Sequence, residues 1–140
     1  MANPGPASTT STHPSGLATN QAIRLLASAQ GVNVNSTADT VMPIVNSSRW
    51  SVSNVVFTNA SISLTTGTAG VFTGPAGSGT AVVADAALSG LTTASVVSQR
   101  TVASTAAQTG DYLYLDVGTA QGAAATMDVF VYGYDLTFLP

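Results

Sequence analysis

The chain contains no cysteine, no lysine and no glutamate. Without cysteine there is no disulfide, no thiolate metal site and no thiol nucleophile, although a cysteine-free chain works equally inside or outside a cell. Without lysine and glutamate, the ionised side chains reduce to Arg24, Arg49 and Arg100 against Asp39, Asp85, Asp111, Asp116, Asp128 and Asp135. Charged residues are 6% of the chain, where about a quarter is usual. The polar surface therefore has to be made of serine, threonine, asparagine, glutamine and backbone. A net charge of −3 with three scattered arginines offers no basic patch to neutralise phosphates, which argues against a nucleic-acid partner. The same scarcity removes polybasic attraction to a membrane, and no apolar run approaches the roughly 20 residues of a membrane-spanning helix. The stretch MANPGPASTTSTHPSG lacks the basic start and the apolar segment of a signal peptide, so none is expected.

What remains is a chain of 140 residues, 45% of them hydrophobic, enough for one domain with its own core. Residues 1–20 are rich in proline, serine, threonine, glycine and alanine, with Leu17 the only large apolar residue after Met1. Such a segment cannot bury enough surface to order by itself. It is expected to be an extended arm laid on a partner, with Pro4, Pro6, Pro14 and Leu17 as its contact residues, and residues 21–140 are expected to form the folded domain.

Within that domain the patterns are those of strands. The segment QAIRLLASAQ (Gln21 to Gln30) admits a helix capped by Asn20 and ended by Gly31, or a first strand running into Val32 and Val34; the strand is preferred because every later segment reads as β. NSTAD is a turn. Val41 to Val45 is a short strand, with Pro43 marking an edge or a bulge. In RWSVSNVVFTNA, Trp50, Val52, Val56 and Ala60 are expected on one face, with Val55 and Phe57 on the other. Val71 to Thr73 and Thr80 to Ala87 flank a Gly/Pro turn and read as a hairpin. Ala94 to Ala103 is a further strand. From Asp111 to Val117, Leu113, Leu115 and Val117 alternate with Tyr112, Tyr114 and Asp116. Thr126 to Phe138 is apolar on both faces, which places it mid-sheet or in a subunit contact. About eight short strands with regularly spaced turns predict an all-β protein, an antiparallel β-sandwich.

Three blocks, GVNVNSTADTVMPI, VSNVVFTNASISLTTGTAGVFTGPAGSGTAVVADAALSGLT and YLYLDVGTAQGAAATMDVFVYGYDL, together resemble small virion structural proteins of tailed bacteriophages. The resemblance covers roughly the last 110 residues, leaves out residues 1–20 and is poor from Ala94 to Gly110. It implies a jelly-roll-like sandwich and a place on the particle. Its motifs are structural, so it carries no catalytic site with it.

Few residues carry chemistry. His13 is the single histidine and has no evident orienting partner, so a solvated or partner-contacting role is expected of it. If the stretch from Gly118 to Ala125 closes a hairpin, Tyr112 pairs with Tyr132, Tyr114 with Phe130 and Asp116 with Asp128. Two facing carboxylates then make a weak candidate for a Ca²⁺ site, short of the six to eight oxygens that ion takes. The same pair is the only support for a glycosidase. GPAGSGT lacks the lysine of a P-loop and reads as a turn. Asn35, Asn46 and Asn59 begin glycosylation-like triplets that a chain this rich in serine and threonine contains by chance.

These readings converge on a non-enzymatic protein without cofactor or metal. The expected function is that of a capsid decoration, or cement, protein on the outer capsid surface of a virion. Its expected partners are itself, as a homotrimer packed through Tyr112, Tyr114, Phe130, Tyr132 and Tyr134, and the major capsid protein, held by the arm. Oligomerisation would cover apolar faces and strand edges that lack lysine gatekeepers. The alternative is a tail or fibre module binding a host glycan, which would need exposed aromatics beside Asn or Asp; Trp50 is the only tryptophan.

Overall fold

Alternation of branched apolar and small polar residues builds nine strands among residues 23–137, the part of the chain that the computed structural model describes. In order these are β1 (Arg24–Asn33), β2 (Thr40–Pro43), β3 (Arg49–Thr58), β4 (Thr68–Phe72), β5 (Ala81–Ala87), β6 (Val97–Arg100), β7 (Gln108–Thr109), β8 (Tyr112–Thr119) and β9 (Thr126–Asp135). The ambiguous first segment is a strand, and the Gly/Pro hairpin forms as expected between β4 and β5.

All pairings are antiparallel and fall into two sheets. One, here sheet A, runs β1-β9-β3-β6, with the two-residue β7 also on β3; the other, sheet B, runs β2-β8-β4-β5. Setting β7 aside leaves eight strands. The first, last, third and sixth make one sheet, and the second, seventh, fourth and fifth make the other, which is the double Greek-key order of a jelly roll. Pro43 ends β2, an edge strand, where a missing N–H is tolerated.

The sandwich buries its core between the sheets. Trp50, Phe57, Leu26, Met42, Leu113, Leu115, Met127, Val129 and Val131 are all fully buried, each apolar side chain contributing roughly 1.5–3 kcal/mol relative to exposure. The Trp50 indole satisfies its one donor on Gly110 O at 3.0 Å, so the largest core residue leaves no polar group unpaired. β8 follows its sequence alternation, with Leu113, Leu115 and Val117 inward.

β3 departs from the expected pattern. Trp50 and Val52 face the core, but so do Val55 and Phe57, while Val56 is turned outward. The register against β9 slips between Val52 and Asn54. That bulge adds one residue and inverts the parity of the second half of the strand. A second irregularity in β1, between Ala29 and Val32, carries Gly31 at φ +65°, a left-handed conformation open to glycine at little cost.

β9 lies between β1 and β3 in the middle of sheet A. This accounts for its two apolar faces: Met127, Val129 and Val131 fill the core, and Phe130, Tyr132 and Tyr134 line the outer surface half-buried. The expected β8–β9 hairpin does not form. β8 pairs with β2 and β4 in the other sheet, so Tyr112 and Tyr114 lie across the sandwich from Tyr132 and Phe130. The 120–125 connection is an arch between sheets. It straddles Val34, whose carbonyl accepts from Gln121 N and whose N–H donates to Ala125 O, both at 2.9 Å.

Candidate functional site

Three polar constellations stand out, and the first is the arch. Gln121 is 9% exposed. Its Oε1 accepts from the N–H groups of Thr66 (3.2 Å) and Gly67 (3.0 Å), and its Nε2 donates to Ser63 O (3.3 Å). Thr66 Oγ1 donates in turn to Gln121 O at 2.6 Å. One amide thus fastens the β8–β9 arch to the β3–β4 connection, and Gly122 N adds a bond to Asn35 Oδ1 at 2.9 Å. The segments so joined, TNASISLTTGTAG and TAQGAAAT, are two of those that carry the phage resemblance.

The second constellation sits at the opposite end, where β1 begins and β9 ends. Asp135 is 1% exposed on the core side. It accepts from Thr137 Oγ1 (2.6 Å), Ser47 Oγ (2.8 Å) and Thr137 N (3.0 Å), and Arg24 Nη2 lies 3.7 Å away. Burial pushes its carboxyl upward, but the hydrogen bonds from Thr137 and Ser47 and the Arg24 charge outweigh that and hold it below the usual carboxylate range. Arg24 also donates to Val45 O and Asn46 O. The first strand, the β2–β3 loop and the end of the last strand therefore meet on one ion pair. Neither Gln121 nor Asp135 was singled out by sequence. Gln121 was hidden because its partners are distant backbone groups, and Asp135 because Ser47 and Arg24 reach it from far off in sequence.

The third lies on the outer face of sheet B. Asp116 on β8 is held above the ordinary aspartate value, first by burial, then by its hydrogen bond to Asp39 and by the charges of Asp39 and Asp85. Gly70 of β4 stands opposite Asp116. The 73–80 connection is latched to this group by Ala76 N, which donates to Asp39 Oδ2 at 2.6 Å. Asp85 accepts from Thr68 Oγ1 at 3.0 Å.

This geometry overturns the facing Asp116–Asp128 pair. Asp128 is on sheet A, where Oδ1 accepts from Gly31 N at 2.8 Å and Oδ2 from Asn59 Nδ2 at 2.9 Å, so it braces the β1 irregularity against the end of β3. The two carboxylates belong to different sheets, and the calcium and glycosidase readings built on their juxtaposition fall with the hairpin register. Among the described residues no group of three or more His, Asp or Glu side chains is arranged to hold a metal ion. An open cleft of about 450 Å³ lies between the free edges of β5 and β6. It offers the methyl groups of Ala84, Ala86 and Ala87 and one guanidinium, Arg100, which donates to Ala87 O at 3.1 Å and lies 5.1 Å from the Phe57 ring centre. Burial pushes that guanidinium down and Asp85 opposes the shift.

Of the residues expected in the packed sheet, Phe130, Tyr132 and Tyr134 share the outer face of sheet A, while Tyr112 and Tyr114 are on the outer face of sheet B. Trp50 is wholly buried and presents nothing to a glycan. Pro4, Pro6, His13, Pro14 and Leu17, with the arm 1–20 as a whole, lie outside the described residues, as does Phe138. No protein family, curated protein or solved structure matches this chain.

Proposed function

We propose that the protein is a virion structural protein of a tailed bacteriophage, a capsid decoration (cement) protein that sits on the outer surface of the head and stabilises it. In this reading the sandwich is a knob, self-associated as a homotrimer. Residues 1–20 attach it to the major capsid protein through Pro4, Pro6, Pro14 and Leu17. Several arms acting together would give tight attachment from weak individual contacts, and bound copies would stabilise the assembled shell by mass action. The reading contains no catalytic step.

The observation that carries it is the Gln121 clamp. Two of the three blocks that resemble phage structural proteins contribute segments that one side chain ties together within a jelly roll. The surface chemistry agrees. Contacts made by neutral hydroxyls, amides and aromatic rings depend weakly on ionic strength, which suits a particle that passes between media.

The test is to remove residues 1–16 and compare melting of the free protein with its retention on purified capsids. Melting is expected to be unchanged and retention to be lost. A truncated protein that still coats shells as well as the intact one would refute attachment through the arm. Density confined to the tail in low-resolution images of the particle would replace this reading with the fibre one.

A further inference from the structure

The two outer faces of the sandwich differ in charge. The outer face of sheet B carries Asp39, Asp85 and Asp116, and its acids already raise the proton affinity of Asp116, although Arg100 beyond its margin is near enough to interact with Asp85. A second copy laid on that face would bring three further aspartates against them, and like charges brought together out of water oppose association. The outer face of sheet A is balanced. By strand alternation Arg49 lies at the end where β3 begins, and Asp128 at the end where β9 begins. Both oxygens of Asp128 are already hydrogen-bonded. Between these ends the face is uncharged: Leu25 and Asn54 flank Tyr132, Ser28 and Val56 flank Phe130, and Ser51 flanks Tyr134. Leu25 is 37% exposed, and Val97, opposite Thr58 at the margin of the face, is 66% exposed.

We infer that the outer face of sheet A is buried against other copies of this chain, with Phe130, Tyr132 and Val56 at the centre of the contact, and that the acidic face of sheet B is left outward. Aromatic and branched residues at the centre with polar groups at the margin match the anatomy of protein interfaces. The net neutrality of the face lets copies crowd together around a symmetry axis without like-charge repulsion. This inference rests on the self-association part of the proposed function and is independent of attachment to a capsid.

Sedimentation of the full chain at micromolar concentration tests it without any capsid. The wild-type protein should run as a multiple of the 13.9 kDa chain. Tyr132→Arg and, separately, Val56→Lys should each reduce it to the mass of one chain. Tyr112→Arg, on the outer face of sheet B and 48% exposed in the monomer, should leave the oligomer intact. Circular dichroism of each variant shows whether it is folded. Val56 is half-buried on the sheet surface, so its substitution tests the face should Tyr132→Arg fail to fold. A monomeric wild type, or a folded Val56→Lys variant that keeps its oligomer, overturns the inference. So does an oligomer broken by Tyr112→Arg alone. Failure of the intact wild-type oligomer to bind purified capsids would count against the cement reading and leave the sheet A interface standing.

Discussion

Gln121 Oε1 accepts a hydrogen bond from the backbone N–H of Gly67 at 3.0 Å, across 54 positions of sequence. Gly67 is buried, so water does not replace that acceptor when it is removed. Leaving a buried donor unpaired costs about 1–3 kcal/mol. Gln121→Ala is therefore expected to lower the melting temperature by roughly 4–24 °C, taking about 4–8 °C per kcal/mol for a domain near 100 residues. Thermal denaturation followed by circular dichroism measures it, and an unchanged midpoint would show that the clamp holds nothing that the rest of the fold does not.

Asp135 gives the fold an acid limit. Its carboxyl is held below the usual range in the folded protein, so the unfolded chain binds its proton more readily. Stability from this group is fully present above the ordinary aspartate value near 3.9 and is lost as pH falls through the lower folded value. Asp135→Asn should be less stable than wild type at pH 7. The gap between the two melting curves should close as pH falls below about 4, since the protonated wild-type side chain then matches the amide in charge.

Asp116 acts in the other direction. Its affinity for a proton is raised in the folded state, so folding favours the protonated form and stability falls as pH rises from about 3.9 through the raised value. Above that, the carboxylates of Asp39, Asp85 and Asp116 repel one another. Asp116→Asn keeps a donor for Asp39 and removes one charge. It is expected to melt higher than wild type at pH 7 and to lose that advantage near pH 3. A lower melting temperature at pH 7 would contradict the assignment.

Gly133 is inward-facing on β9, opposite Val52. A Cβ placed there would overlap Ser51 O and approach Leu26 Cδ1 at 2.8 Å. Leu26 can shift, but the Ser51 carbonyl belongs to the central strand β3 and cannot. Gly133→Ala should cost more than about 3 kcal/mol, the range of severe overpacking. Gly90→Ala is the control, because a Cβ there meets nothing within 4 Å.

The sequence showed most of the strands because half-buried β structure writes its alternation directly into residue order. Tyr112 to Thr119 is the clearest case, with every inward residue read correctly. Two features were illegible for stated reasons. The bulge between Val52 and Asn54 inverts the parity of β3, and no residue type there announces an extra position. The six-residue stretch 120–125 suits a hairpin as well as an arch between sheets, and what decides is its pairing with Val34, a contact far off in sequence. The candidate site suffered most from that second ambiguity, since the facing aromatic rings and carboxylates all depended on one loop.

Arg24 and Asp135 hold the start of the first strand beside the end of the last. A short linker from residue 137 back to residue 23 would therefore span little distance, and the chain is a suitable subject for circular permutation, with new ends opened in the 73–80 turn. The same neighbourhood gives the sandwich a polarity. Whatever the segment before Ile23 holds, the connections 34–39, 59–67, 88–96 and 120–125 lie at the far end of the strands. Peptides grafted at 92–95, the exposed part of the 88–96 connection beyond the buried Leu88 and Leu91, would be displayed on the side remote from Ile23.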